Sequence, residues 1–337
     1  MAPVLALAGD TMLGRGVGDR LRDDPAVQVF GPRLRDAARD ADSLVVNLEC
    51  CISERGERWH DPDKLYFFRA PPRAVQVLLD LGVSAVSLAN NHALDFGFDA
   101  LADTLDLLHA GGITVVGAGA DADSARAART LDVGATRVTL LALADHPADF
   151  AASRSRAGIA FADLAGEVPD WVRTALQQSE PPVVVMPHWG PNMVQQPVPV
   201  VRRAARRLVE WGADLVAGHS AHIFHGVEGR VLYDLGDLVD DYYRSPLLRN
   251  DIGLLWLVHL DGGRLDHVDA VPLRLDLAFT EIADGEDAAW ARRRFTKACA
   301  ALGTHVQDAG DGRLRVRFPN GSRSGGARHG TRTAAPE

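Results

Sequence analysis

Short apolar runs recur along the chain, each bounded by turn-forming residues. They stand at 4–8 (VLALA), 43–48 (SLVVNL), 83–88 (VSAVSL), 113–116 (ITVV), 137–143 (RVTLLAL), 182–186 (PVVVM) and 214–217 (DLVA). Runs this short and this rich in valine and leucine predict buried strands. Helical periodicity fills the spaces between them. Residues 72–81 lead to a stop at Gly82, and 97–110 place Leu101, Leu105 and Leu108 on one face before Gly111-Gly112. Residues 168–178 and 199–211 predict helices in the same way.

From 226 the rhythm changes. VEGRVLYDLGD reads as a hairpin around Gly229, and the runs 254–260 and 264–276 flank the turn Asp261-Gly262-Gly263. One helical pattern covers 284–302, and THVQDAGDGRLRVRF reads as a further hairpin. The expected class is therefore α/β with mixed sheets. The main domain is expected over 1–278, a C-terminal helix and hairpin extension over 279–318, and a disordered tail, almost without apolar residues, over 319–337.

Composition narrows the function classes. Of 337 residues, 47% are hydrophobic and 24% charged, enough for a real core. A net charge of −9 supplies no basic face, so nucleic acid is not an expected partner. No apolar run approaches the ~18 residues of a spanning helix, and membrane insertion is not expected. The first apolar run stops at Gly9-Asp10 without a basic leader. Cys50, Cys51 and Cys299 form no disulfide framework, and a cytoplasmic location is the expectation. Nothing in the pattern reports on oligomeric state.

The candidate chemistry lies where the strands end. In open α/β sheets, ligands gather at the carboxyl ends of strands. Here those ends deliver Asp10, Glu49, Asn90-Asn91-His92, His188 and His219, with His222 and His225 close behind. Singly, each has an ordinary reading. Asp10 taken alone is more often a helix cap or turn aspartate than a ligand, Asn90-Asn91 suits a turn, and His225 lacks a matching partner. Together, imidazoles and carboxylates form the donor set that borderline divalent metals accept. Such a metal activates water and clamps a phosphoryl oxygen.

These residues also carry a family resemblance. LAGDTMLGR (7–15), NLE (47–49), LANNHALDFG (88–97), PHWG (187–190) and GHSAHIFHGVE (218–228) resemble the CapA family of poly-γ-glutamate capsule biosynthesis, related to calcineurin-like metallophosphoesterases. FFRAPP (67–72) and YDLGDLVDDY (233–242) extend the likeness over roughly residues 4–277. It implies a four-layer α/β/β/α sandwich holding one or two divalent ions (Mn, Fe or Zn). By that resemblance Asp10, Glu49, Asn91, His188, His219 and His222 would be metal ligands, with Glu49 as the bridging carboxylate. His92 would be the general acid or a substrate-polarising group, working beside Asp10.

Arg15, Lys64 and Arg69 are candidate contacts for an anionic substrate, since cations of this kind bind phosphate or carboxylate. Lys64 also reads as surface charge. Asp234 and Asp237 are candidates for orienting an imidazole from behind. Asp95 is expected to cap the 97–110 helix and so fix the Asn-His loop. Two departures from the parent superfamily stand out. Met12 occupies a position where an imidazole is usual, and His219 and His222 are three apart where two is usual.

Three functions follow. The first is a metal-dependent hydrolase of a phosphoester or related anion. The second is a peptide-modifying enzyme, an epimerase or amide-acting catalyst on a peptide or polyglutamate-type substrate. The third is a non-catalytic polymer-binding assembly subunit.

Overall fold

The computed structural model describes residues 2–24 and 26–319. Apart from Pro319, the expected tail over 319–337 lies outside the described residues. The strands Val4–Thr11, Ser43–Leu48, Val83–Ser87 and Thr114–Val116 run parallel, side by side, as one half of a ten-stranded sheet. The other half is antiparallel. Ile252–Asp261 pairs Val4–Thr11, Arg264–Asp276 pairs Ile252–Asp261, and Arg313–Arg317 pairs Arg264–Asp276. A six-stranded sheet carries Thr136–Ala144, Val183–His188 and Leu215–Ala217 in parallel at its centre. The hairpin expected around Gly229 is present as Val227–Glu228 against Val231–Leu232.

Alternation along the central strands divides the smaller sheet between two cores. Leu140, Ala142, Val184 and Met186 join the cluster that holds Val45, Val86 and Trp256 of the larger sheet. Leu141, Leu143, Val183 and Val185 turn the other way, onto Val172 and Leu176 of the Asp170–Gln178 helix and Ala204 and Leu208 of the Pro199–Glu210 helix. Period-two alternation is what a strand between two apolar layers must show. With Leu34, Leu78 and Leu101 of three further helices in the first cluster, the layers stack as α/β/β/α.

The segment 279–318 adds to the larger sheet. Phe279–Ile282 and Arg313–Arg317 both pair Arg264–Asp276, and Phe295 of the Gly285–Ala300 helix packs edge-on against Trp256, ring centres 5.4 Å apart. The helices Arg15–Asp23 and Pro32–Arg39 were not expected from the pattern; each carries only three buried residues among charged ones.

One pairing shapes the site. The short strand Asp237–Val239 lies parallel to Val4–Thr11, with Asp237 opposite Asp10. Gly9 makes this possible: a Cβ there would stand 1.7 Å from the Gly236 carbonyl oxygen. The same holds at Gly218, whose Cβ would meet the Tyr233 carbonyl oxygen at 2.2 Å and the Trp189 indole nitrogen at 2.5 Å. A glycine before Asp10 and another before His219 are therefore places where backbones touch.

Candidate functional site

Both sheets point the carboxyl ends of their parallel strands to one buried place. Asp10, Glu49, His92, His188, His219 and His222 are each 6% exposed or less. His188 and His219 form an isolated bridge between neighbouring strand ends of the smaller sheet. From there His219 Nδ1 stands 3.1 Å from Asp10 Oδ1 on the larger sheet. Asn47, which the sequence reading passed over, ties the two sheets: its amide donates to Asp10 Oδ1 at 2.8 Å and lies 3.3 Å from His188 Nδ1.

Glu49 sits at the centre. Its Oε1 is 3.9 Å from His92 Nε2 and 3.9 Å from His188 Nε2, and its Oε2 is 3.9 Å from His222 Nδ1. These gaps are too long for hydrogen bonds. They suit donors arranged around a shared ion, where bonds of about 2.0–2.2 Å leave neighbouring donors ~3–4 Å apart. One donor atom each of Asp10, Glu49 and His222 falls within 4.8 Å of the others. Among the described residues, the buried atoms Glu49 Oε1 and Oε2, Asn91 Oδ1, His188 Nε2, His219 Nε2 and Asp237 Oδ2 all lack a hydrogen-bond partner. Buried polar atoms are rarely left so. An imidazole, carboxylate and amide set of this kind fits a divalent cation.

Electrostatics agree. Burial and the charge of Asp10 push the Glu49 carboxyl well above its usual range. Burial likewise raises Asp237, helped by Asp240 and Asp10, and raises Asp234, helped by Asp10. Asp10 goes the other way: against the effect of its burial, the His219 hydrogen bond and the surrounding imidazoles, His222 among them, hold it below the usual range. His222 is also buried, but the carboxylates of Glu49 and Asp10 overcome this and raise it. Burial holds His188 and His92 low, hence neutral. Crowded carboxylates gathered around imidazoles are a charge arrangement that a cation completes.

His222 reaches Asp237 Oδ1 at 2.9 Å and Asp10 Oδ2 at 3.4 Å. It does so from a left-handed backbone (φ 58°), two residues after Ser220 at φ 106°. Strain of this sort in non-glycine residues persists where surrounding contacts over-determine it. The extra residue between His219 and His222 is accommodated by this turn. Met12 supplies no nitrogen; it is buried, and its sulfur accepts the Gly14 N–H at 3.2 Å.

The supporting residues differ from expectation. Asp95 is not the helix cap: Phe96 holds that position without a side-chain bond. Asp95 instead fixes the Asn-His loop directly, with Oδ2 2.6 Å from His92 Nδ1 and accepting the Phe68 N–H at 2.6 Å. Lys64 is no surface charge. Its side chain is 13% exposed, its ammonium lies 2.9 Å from Asp95 Oδ1, and it donates to the Asn91 carbonyl at 2.8 Å. Those bonds make it a clamp on the loop rather than a free substrate contact. Asp234 reaches no imidazole; it accepts the Ala221 and Gly236 N–H groups at 2.8 and 2.9 Å and shapes the GHSAH turn.

Arg69 is not among the residues brought together. It donates to the Arg55 and Gly56 carbonyls and lies on the Phe96 ring, 4.1 Å from its centre. Arg15 stays half-exposed beside Asp241, its guanidinium 5.8 Å from the Tyr66 ring centre. His225 stands apart and donates to the Val194 carbonyl. Two further neighbours escaped the sequence reading. His146 follows the Thr136–Ala144 strand, is paired with Asp145, and its ring lies 5.4 Å from that of His188. Tyr242 sets its ring edge-on to His222 at 5.1 Å. The strand-end pattern that singled out His188 applies equally to Asp145-His146.

Known proteins are similar to this chain over the span that contains the site. The family model for the bacterial capsule synthesis protein PGA_cap matches residues 4–242. A probable polyglutamine synthesis accessory protein of Mycobacterium tuberculosis (strain H37Rv) is 30% identical over 92% of this chain and 94% of its own length. The PGA biosynthesis protein CapA of Bacillus subtilis (strain 168) is 28% identical over 70% of this chain and 63% of its own. Among solved structures, a hypothetical protein from Thermus thermophilus overlays with a TM-score of 0.49 at 16% identity, over 80% of this chain and 99% of that one. With a family model spanning every strand end that delivers a candidate ligand, the chain belongs to the PGA_cap family of bacterial capsule synthesis proteins.

Proposed function

We propose that this chain is a divalent-metal-dependent hydrolase of a phosphoester or related anionic substrate, serving capsule or polyglutamate-type metabolism. The observation that carries the reading is Glu49, ringed at 3.9 Å by His92, His188 and His222 and bonded to none of them. Asp10, Glu49, Asn91, His188, His219 and His222 would hold the metal, with Asp237 beside them. A bound divalent ion supplies Lewis acidity and an activated water.

The rest is done by the protein. The bond to Asp95 fixes the Nδ1–H tautomer of His92, so a neutral His92 presents a lone pair at Nε2 to the site. It therefore enters the reaction as a proton acceptor and returns that proton to the leaving oxygen. Phe68 lies tilted over the ring at 4.0 Å and holds its plane. Lys64 pairs with Asp95 and pins Asn91 from its carbonyl side. Arg15, beside Asp241 at the site's edge, is the one of the three candidate cations left to meet an anionic substrate.

The test is turnover of an aryl phosphate by the purified full chain. Activity is expected with Mn²⁺, Fe²⁺ or Zn²⁺ and lost in chelator and in His92→Ala. A protein that binds no transition metal ends the proposal.

Met12 favours a second reading with the same site. Without an imidazole at that position the metal shell is short of one donor, which weakens the case for phosphoester chemistry. Epimerisation at a peptide α-carbon would use the His92 Nε2 lone pair to remove the α-proton, with a proton from water returned to the opposite face. Incubation with γ-glutamyl and α-peptides in deuterated water separates the two. Deuterium at an α-carbon without hydrolysis selects the second reading.

A further inference from the structure

A second group of donors lies at the far end of the larger sheet. His259 pairs with Val4, at the opposite end of the Val4–Thr11 strand from Asp10. Six residues at about 3.3 Å each put roughly 20 Å between the two places. His259 stands opposite His267 on the neighbouring strand, and Asp269 follows two residues on, so all three share one face. The imidazole rings are stacked, centres 4.2 Å apart and planes 13° from parallel. His259 Nε2 is 3.4 Å from Asp269 Oδ2, and His267 Nε2 is 3.9 Å from the same oxygen. One donor atom of each residue falls within 4.8 Å of the others.

The hydrogen-bond pattern leaves this group incomplete. His267 Nδ1 lies 2.6 Å from Asp266 Oδ2, and a carboxylate only accepts, so that nitrogen carries the proton. The Nε2 of a neutral His267 is then a bare lone pair facing the Asp269 carboxylate, another acceptor. His267 is 9% exposed and Asp269 is 2% exposed. Among the described residues, His267 Nε2 has no hydrogen-bond partner, and His259 Nε2 has only the long 3.4 Å approach to Asp269. The His267 Nε2 lone pair and the Asp269 carboxylate are thus two acceptors facing each other, with His259 Nε2 beside them, an arrangement that a cation between the three relieves. A carboxylate behind a ligating histidine, as Asp266 stands behind His267, is the usual support of a bound transition metal.

We propose that His259, His267 and Asp269 form a second site for a divalent transition metal, zinc by preference, separate from the strand-end centre. Two imidazoles and one carboxylate suit zinc, with water as the fourth ligand. Donors on a tetrahedral zinc stand ~3.3 Å apart, close to the spacings present. Arg315 grips Asp269 through two bonds of 2.7 Å and holds its carboxylate in place. Arg315 and Arg317 balance Asp266 and Asp269, so affinity rests on the imidazoles and magnesium is a poor substitute. His259, with 21% of its side chain exposed, is the way in. The bound ion would fasten the 252–276 hairpin and, through Asp269 and Arg315, the Arg313–Arg317 strand.

The experiment uses the full chain, stripped with chelator and dialysed against Zn²⁺ or Co²⁺. Wild type is expected to hold one more Zn²⁺ equivalent than His259→Ala, counted by elemental analysis. With Co²⁺, the visible absorption of a low-coordinate histidine site is expected in Asp10→Asn and absent from Asp10→Asn/His259→Ala. Zn²⁺ should raise the melting temperature of the first of these and not the second. His259→Cys, which keeps a ligand, should restore the equivalent. Equal Zn²⁺ content in wild type and His259→Ala overturns the proposal, as does the lack of any Co²⁺ band in folded Asp10→Asn.

Discussion

Asp10 and Asp237 face each other across two parallel strands and share one imidazole: His222 Nδ1 is 3.4 Å from Asp10 Oδ2 and 2.9 Å from Asp237 Oδ1. Two buried carboxylates this close to Glu49 repel one another without a compensating cation. Asp237→Asn should therefore weaken metal binding by about 10–100-fold. It should also stabilise the chelated protein. Metal competition assays and urea unfolding in chelator measure the two effects, which move in opposite directions. A variant that loses stability in both conditions would show Asp237 to be structural only.

The same crowding sets a pH dependence. Glu49, Asp234 and Asp237 have carboxyl groups raised above their unfolded values. A raised group binds its proton more tightly when folded, so its contribution is complete below the unfolded value and fades as pH rises through the folded one. Above pH ~6.5 the depressed histidines His92 and His188 are neutral in both states and add nothing. The chelated protein should therefore lose stability as pH rises above 6.5, and His222, also raised, adds to the same slope. Saturating Mn²⁺ should flatten that slope. Urea midpoints at fixed ionic strength decide it, and a chelated protein that gains stability over this range contradicts the charge arrangement.

His92 and Asp95 offer a test of positioning against bulk stability. His92→Ala should lower kcat by about 10²–10⁴-fold and leave metal content unchanged. Asp95→Asn can no longer accept from Nδ1 as a charge, and the tautomer is no longer fixed. Its kcat should fall with KM nearly constant, and the acidic limb of its pH–rate profile should move. A change in KM alone would place Asp95 in substrate binding instead.

Much of the site was legible because parallel α/β strands deliver their carboxyl ends to one side. Asp10, Glu49, His188 and His219 each follow a short apolar run in the sequence. The rest depends on contacts between distant segments. Nothing local reveals that Asp237 pairs with Asp10, that Lys64 reaches Asp95, or that Asn47 joins the two sheets. Asp237 begins a three-residue strand, too short to carry periodicity. The helices Arg15–Asp23 and Pro32–Arg39 were missed because arginines and aspartates outnumber their apolar residues.

Gly9 should be intolerant of any side chain. Its added Cβ would press on the Gly236 carbonyl, backbone that also accepts the Asp10 N–H at 2.9 Å. Relief requires the Asp237–Val239 strand to move, and Asp10 with it. Gly9→Ala should destabilise the protein by about 3 kcal/mol or more and weaken metal binding at the same time. Thermal melts with and without metal measure both. A stable Gly9→Ala protein with full metal content would mean that the two strands part without disturbing Asp10.

His225, the third histidine of GHSAHIFHGVE, makes a prediction about stability alone. It is 3% exposed and donates to the Val194 carbonyl at 2.8 Å, and burial holds it down at about 4 against an ordinary 6.5. A depressed group contributes stability that is complete above the unfolded value and lost as pH falls through the folded one. At 1.36 kcal/mol per unit, protonation at His225 removes about 3 kcal/mol between pH 6.5 and 4. His225→Gln keeps a donor for Val194 and has no proton to gain. Its stability should match wild type within about 1 kcal/mol at pH 7.5 and exceed it near pH 4.5. The difference between the two urea profiles isolates this residue from the acids of the metal centre. Parallel profiles would mean that the imidazole charges in place without leaving its pocket.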